Sequence, residues 1–232
     1  MILPIVFAVL IALAHYGSHH FCLVCTKIKD KLISFVAGVA TVYIFMDLLP
    51  EFYSEATKIS PVLYTSVFFG FAIFFLIDKE IYQKIQHKKV SEDIKLAHGV
   101  GIIVYYFVVG MALVQLLSVD MKQGILFFIP VFIYSGLSTL SGHGIHGMHG
   151  PHYEALSHIK LFQSLSVIAG TLVGLFVVIP NPIFVYLIGL VGGLLLYVII
   201  RDTLPKGKKG KPYMYVTGAA IYTVLIIALS FI

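Results

Sequence analysis

The sequence predicts an all-α integral membrane protein, one domain over residues 1–232 that crosses the bilayer about eight times. Three observations predict this fold class. First, 59% of the residues are hydrophobic and 12% charged, whereas a soluble domain is roughly half apolar and a quarter charged. Second, apolar stretches recur along the whole chain, and third, the lysines and arginines are distributed unevenly between the loops. A soluble protein is excluded.

The apolar stretches approach the length of about 17–25 residues that a helix needs to span a bilayer. The first begins at Met1 without a basic leader, which favours a retained helix over a signal peptide. These stretches and short connections use nearly all 232 residues, and no catalytic motif is visible, so we do not expect an enzyme. The eight stretches are 3–15, 33–49, 61–77, 97–118, 124–140, 161–179, 183–200 and 213–232.

The basic residues predict the orientation. Fourteen of the sixteen lysines and arginines fall in the odd-numbered loops, and only Lys58 and Lys122 fall in the even-numbered ones. By the positive-inside rule, the odd loops are cytoplasmic and both termini are extracytoplasmic in the plasma (inner) membrane. A pI near 9.1 therefore reflects topology, and we expect no nucleic-acid partner. The partners are the lipid bilayer and a transported substrate, and the sequence also allows a homodimer.

Two segments repeat an Asp-x-Leu-Pro-like pattern. Asp47 precedes Pro50 near the end of the second stretch, and Asp202 precedes Pro205 at the end of the seventh. On the predicted topology these segments lie on opposite membrane faces, which an inverted repeat of helices 1–3 and 6–8 would produce. The alternative is that proline simply ends two Leu-rich helices.

Three segments resemble the Zrt/Irt-like (ZIP) divalent-metal transporters, which have eight helices with both termini outside. Residues 35–51, ending Met-Asp-Leu-Leu-Pro-Glu, are similar to that family's second helix, which typically ends His-Leu-Leu-Pro-Glu. Residues 192–205 are similar to its seventh helix, and residues 163–174 to its sixth. The resemblance implies a ZIP-like bundle around a transport path.

The sequence departs from the family at the metal site. The fourth-helix motif, His-Asn-x-x-Asp-Gly in the family, corresponds to Tyr105, Tyr106 and the residues up to Gly110. The fifth-helix motif falls on residues 134–139, where hydroxyls replace every imidazole and carboxylate. We therefore expect a divergent relative without a tightly bound divalent ion there.

Several polar residues are candidates for the transport path. Asp47 is the only ionised side chain that we expect within a span, where a charge is costly and points to function; alternatively it reaches the interface. Asp202 is the second acidic candidate, or it pairs with Arg201. Hydroxyls on helices four and five either line a path or only bond neighbouring helices. The full set is Asp47, Asp202, Tyr105, Tyr106, Ser135, Ser138 and Thr139.

A glycine-rich loop predicts a metal site on the cytoplasmic side. Imidazoles recur there at every third position, and such a chain can converge on zinc, copper or nickel. Two further residues, spaced to share one helical face, extend this set. The alternative is a solvated, low-complexity turn. The residues are His143, His146, His149, His152, Glu154 and His158.

A second cluster follows the first stretch. It contains His19, His20 and a Cys-x-x-Cys pair, Cys22 and Cys25. Reduced thiolates with imidazole are a plausible set for zinc or copper(I), although buried cysteines and interfacial histidines without metal are equally consistent. We expect all ten histidines, including His15, to lie on or beside cytoplasmic loops.

Two functions fit these observations. The first is a ZIP-like transporter of zinc, another divalent cation or an altered substrate, with no tightly bound cofactor but with a transition metal captured at the histidine loop. The alternative is a non-transporting sensor, scaffold or subunit with the same fold.

Overall fold

The computed structural model describes residues 2–24, 28–86, 92–141, 153–203 and 210–231, and this part of the chain forms helices and no strand. The predicted all-helical class is therefore confirmed. Eight helices follow in order: α1 (Ile2–Val24), α2 (Lys29–Tyr43 continued by Ile44–Leu48 and Leu49–Ile59), α3 (Thr65–Gln86), α4 (Glu92–Val119), α5 (Met121–Ser141), α6 (Tyr153–Phe176), α7 (Asn181–Thr203) and α8 (Pro212–Ser230).

Five of these helices are long and apolar enough to cross a membrane, namely α2, α3, α4, α7 and α8. The other three have shorter apolar segments, Ile2–Ser18, Met121–Leu137 and Lys160–Phe176. This pattern is compatible with a multi-pass integral membrane protein. The described helices also share one hydrophobic core, to which all eight contribute buried side chains.

The second helix does not end at Pro50, so the alternative that proline ends this helix is wrong. Residues Ile44–Leu48 form a π-helical turn in which the Leu49 N–H donates to the Ile44 carbonyl, and the α-helix then resumes through Pro50 to Ile59. Proline lacks an N–H and normally breaks a helix interior. Here it lies in the first turn after the π-helical segment, where the change of hydrogen-bond register accommodates it. Asp47 lies within the π-helical turn.

Three helix pairs pack through reciprocal glycines. In each pair, a Cβ atom on either glycine would overlap a backbone carbonyl oxygen of the other helix. That carbonyl always belongs to the residue three positions before the partner glycine. The pairs are Gly38 with Gly218, Gly70 with Gly193, and Gly110 with Gly170. The carbonyls they face belong, in the same order, to Tyr215 and Phe35, to Leu190 and Val67, and to Val167 and Phe107.

These glycine contacts lie between α2 and α8, α3 and α7, and α4 and α6, which are the three most extensive helix pairings, followed by α1 with α5. Small residues let two helices approach until backbones touch, which is a common way to hold membrane helices together. Further pairings join α1 to α6, α4 to α5, α2 to α5, α2 to α7 and α4 to α7.

Pro130 lies inside α5 and changes how that helix bonds to α8. A regular residue at position 130 would donate its N–H to the Leu126 carbonyl, but proline has none. The Tyr222 hydroxyl of α8 donates to that carbonyl instead, at 2.6 Å, and Tyr222 is buried. An interhelical bond thus satisfies the acceptor that proline leaves open.

We expect Tyr222→Phe to destabilise the protein by about 1–3 kcal/mol, because it leaves a buried carbonyl without a donor. In a Pro130→Ala background the same substitution should cost clearly less, since the backbone N–H at position 130 can then bond Leu126. A double-mutant cycle of thermal unfolding in detergent measures this coupling. An equal cost in both backgrounds would contradict the role given to Pro130.

Candidate functional site

Four helices meet at a buried polar network inside the bundle. The Tyr106 hydroxyl of α4 lies 2.9 Å from Nδ1 of His15 on α1 and 3.1 Å from the Ser135 hydroxyl oxygen of α5. On the other side of the imidazole, Nε2 lies 3.4 Å from the amide oxygen of Gln163 on α6. The His15 and Tyr106 rings are also in contact, with centroids 4.6 Å apart.

The network ends on the backbone in both directions. The Ser135 hydroxyl donates to the Val131 carbonyl at 2.7 Å, and the Gln163 amide nitrogen donates to the Gly99 carbonyl at 3.4 Å. All four side chains of the network are buried, with 1–8% exposure. Polar side chains buried inside a membrane bundle are costly unless they are bonded, and they commonly mark substrate or proton pathways.

Tyr105, beside this network, has a different environment. Its ring centroid lies 5.1 Å from that of Tyr106, and it is 7% exposed. Among the residues that the structure describes, its hydroxyl has no hydrogen-bond partner. Tyr105 and Tyr106 are thus both buried on α4, but among the described residues only the Tyr106 hydroxyl is hydrogen-bonded.

A second buried polar contact joins α3 to α7. Asp78 is fully buried, and the Tyr197 hydroxyl donates to its carboxylate at 2.9 Å. Asp78 was not predicted from the sequence, because the apolar stretch ends at residue 77 whereas the helix continues to Gln86. A second carboxyl group, besides Asp47, thus lies in a helix that is long and apolar enough to cross a membrane.

The structure brings together two of the predicted path residues, Tyr106 and Ser135, and places Tyr105 next to them. Asp47 is only partly buried and lies in the π-helical turn of α2. Three other path residues lie in helices, but their side chains are outside the described part of the structure: Ser138 and Thr139 in α5 and Asp202 in α7.

The position of His15 in the structure differs from the one predicted from the sequence. It was expected beside a cytoplasmic loop, but α1 continues nine residues past it, and the ring is 5% exposed inside the bundle. The predicted apolar stretch is shorter than the helix, because a helix continues past its most apolar residues. For the same reason, His19, His20 and Cys22 lie within α1 and not in a loop after it. Gln163 was not predicted either, because its neutral amide gives no distinctive signal in the sequence.

The predicted metal sites remain predictions. Glu154 and His158 lie in α6, and His19, His20 and Cys22 in α1, but these side chains are not described. Cys25 and the four loop histidines lie outside the described residues altogether: His143, His146, His149 and His152. Within the described residues, no group of three or more His, Cys, Asp or Glu side chains is arranged to hold a metal ion.

Comparison with known protein families finds no match for this chain, and neither does comparison with curated proteins. The class of the protein therefore rests on its fold and site. Its apolar helices are compatible with an integral membrane protein, and a hydrogen-bonded polar network crosses the interior of that bundle.

Proposed function

We propose that this protein is a ZIP-like membrane transporter whose path passes the network of His15, Tyr106, Ser135 and Gln163. The observation that carries the proposal is this buried, four-helix network. It includes Tyr106 and Ser135, the positions at which the family resemblance expects metal ligands. A polar site in that position suits a path better than a purely structural core.

The helix pairings support the eight-span arrangement with an inverted repeat. In such a repeat, α1 corresponds to α6, α2 to α7, α3 to α8 and α4 to α5. Under this correspondence the α2–α8 pairing is equivalent to α7–α3, and the α4–α6 pairing is equivalent to α5–α1. The correspondence also converts α2–α5 into α7–α4 and leaves α1–α6, α4–α5 and α2–α7 unchanged. A pseudo-two-fold relation between two halves produces this pattern in the larger pairings, whereas the smaller α3–α4 and α1–α4 pairings have no counterpart of similar extent.

The sequence positions of the glycines also support the pseudo-two-fold relation. Gly38 precedes Asp47 by as many positions as Gly193 precedes Asp202. Gly38 and Gly193 also make equivalent backbone contacts, with α8 and α3 respectively. The similarity between the two Asp-x-Leu-Pro-like segments therefore extends to the packing of α2 and α7, the helices that contain them.

The chemistry of the network bears on the substrate. Its side chains are an imidazole, two hydroxyls and an amide, none of them anionic, whereas a dehydrated divalent cation needs several ligands that usually include anionic ones. We propose a monovalent ion, a proton-linked step or a small polar solute in preference to tightly bound zinc. The uptake experiment below also includes divalent metal ions, which such a site would bind only weakly.

The test is uptake by purified protein in liposomes, measured for zinc, iron, manganese, cadmium and protons against empty liposomes. Ser135→Ala should lower the flux about tenfold, the effect of losing roughly 1.4 kcal/mol from a buried hydrogen bond. Ser164→Ala is the matched control, because Ser164 is also buried and also donates to the carbonyl four positions earlier. It should leave the flux within about twofold.

Two results would decide against the proposal. Flux that is equal in both serine variants would remove the network from the path. No flux above empty liposomes for any of these ions would favour the alternative, a non-transporting membrane protein with the same fold.

A further inference from the structure

Asp47 is a partly buried carboxylate beside the interior of the bundle. It lies close enough to the Tyr43 and Tyr222 hydroxyls for its charge to act on both. These two tyrosines are 1% and 2% exposed, and their rings meet edge to face with centroids 6.4 Å apart. The Tyr222 hydroxyl is held at the Leu126 carbonyl of α5. The charge of Asp47 therefore acts on the region where α2, α5 and α8 meet.

Within the residues that the structure describes, no positive charge neutralises Asp47. Its carboxylate forms no hydrogen bond or ion pair with any of them. The charged groups that act on it are Glu51 on the same helix and Asp120 just before α5, and both are anionic. A carboxylate that is partly removed from water inside a membrane span is costly unless a cation or a proton compensates its charge.

The π-helical turn leaves an open acceptor close to Asp47 in the chain. The Phe45 carbonyl would accept from residue 49 in an α-helix and from residue 50 in a π-helix. The Leu49 N–H bonds Ile44 instead, and Pro50 has no N–H. The Phe45 carbonyl therefore lacks a donor from its own helix. Backbone carbonyls that are released where a membrane helix is interrupted can coordinate monovalent cations.

A buried hydroxyl without a hydrogen bond lies near the same site. Tyr105 on α4 is within electrostatic reach of Tyr43 and is 7% exposed. Among the described residues its hydroxyl has no hydrogen-bond partner. Tyr43 thus connects Asp47 to Tyr105, whose neighbour Tyr106 belongs to the polar network of the proposed path.

These oxygen atoms suit a cation with a single charge. We infer that Asp47, the Tyr43 hydroxyl and the open carbonyl of the π-helical turn bind a monovalent cation such as sodium or potassium. One carboxylate balances one positive charge, and neutral hydroxyl and carbonyl oxygens are suitable further ligands for a hard cation. The nearby Glu51 and Asp120 make the surrounding potential more negative, which attracts cations to the site.

The acidic residues do not form a site for a divalent ion. Such an ion usually needs several anionic ligands. Although Asp47, Glu51 and Asp120 all lie in the described part of the chain, they do not converge as a metal-binding group there. Asp47 is therefore the single anionic ligand of the proposed site.

This inference rests on the proposed function only where it names the transported class, and binding is measured without transport. Purified protein in detergent is heated in the chlorides of sodium, potassium, magnesium and N-methylglucamine, at constant pH and ionic strength. An ion that binds only the folded state raises the unfolding midpoint with its concentration. Replacing N-methylglucamine by sodium or potassium should raise the midpoint, whereas magnesium should have no such effect.

Substitutions test whether this effect arises at Asp47. Asp47→Asn should lower the cation affinity by about a hundredfold or more, because removing one partner of a buried ion pair is strongly unfavourable. Tyr43→Phe should lower it about tenfold, through the loss of one oxygen ligand. Glu55→Gln is the matched control, since it removes a partly buried carboxylate of the same helix that is paired with Lys58. It should leave the affinity within about twofold.

The midpoint in N-methylglucamine shows whether the variants fold. Asp47→Asn should match or exceed the unsubstituted protein there, since it removes an uncompensated charge, and Tyr43→Phe provides the test if Asp47→Asn does not fold. Equal midpoints in all the salts would overturn the inference, because a proton would then neutralise the carboxylate. An effect of magnesium alone, or a sodium or potassium effect that persists in Asp47→Asn, would also overturn it.

Uptake of sodium and potassium into liposomes separates this inference from the proposed function. Cation binding that depends on Asp47 in a protein without flux would support the site and remove transport. Flux in a protein whose unfolding midpoint does not respond to either cation would support transport and remove the site.

Discussion

Gly170→Ala should destabilise the protein by about 3 kcal/mol or more, at or beyond the upper end of the usual cost of overpacking. Its added Cβ would overlap the backbone carbonyl of Phe107 on α4, and a backbone cannot rotate away as a side chain can. Relief requires α4 and α6 to separate, which breaks the most extensive helix pairing in the bundle. Gly193→Ala and Gly218→Ala should have comparable effects at the other two pairs.

The measurement is the thermal unfolding midpoint of each purified variant in detergent. Gly136→Ala is the matched control, because Gly136 also lies inside a helix but a Cβ there would meet only Ala14 Cβ at 3.9 Å. That substitution should be neutral or stabilising, by up to about 1 kcal/mol, because alanine favours the helix over glycine. Midpoints for Gly170→Ala and Gly136→Ala that match would mean that α4 and α6 do not touch at the backbone.

The helical class could be predicted from the sequence because it depends on local composition. Apolar stretches mark the parts of the chain that leave water, and each corresponds to a helix in the structure. Their ends could not be predicted as well. Val24 and Gln86 end helices that continue beyond their apolar parts, since hydropathy reports the environment whereas hydrogen bonding between successive turns decides the helix.

The site was only partly predictable because its partners come from four helices far apart in sequence. Tyr106 and Ser135 were found through a family resemblance. His15 and Gln163 were not, because their roles depend on which helices pack together and how they are rotated. Asp78 was missed for a different reason, its position just after an apolar stretch. The glycines in the apolar stretches are a packing signal that was not used in the sequence analysis, since close approach of two helices requires a residue without a side chain.

The adjacent tyrosines Tyr105 and Tyr106 should respond differently to the loss of the hydroxyl. Tyr106→Phe should destabilise the protein by about 1–3 kcal/mol, because it removes the hydroxyl that bonds both His15 and Ser135 inside the bundle. At roughly 2–4 °C per kcal/mol, the unfolding midpoint should fall by about 2–12 °C. Tyr105→Phe is the control, a neighbouring buried tyrosine whose hydroxyl is unbonded among the described residues.

Tyr105→Phe should leave the midpoint unchanged or raise it slightly, since it removes a buried hydroxyl that has no hydrogen-bond partner in the described part of the chain. Its effect on flux is then informative, because a loss of uptake without a loss of stability would mean that the Tyr105 hydroxyl contacts the transported species. Equal midpoints for the two variants would contradict the network, because a hydroxyl that bonds two other helices should cost more to remove than one that bonds none of the described residues.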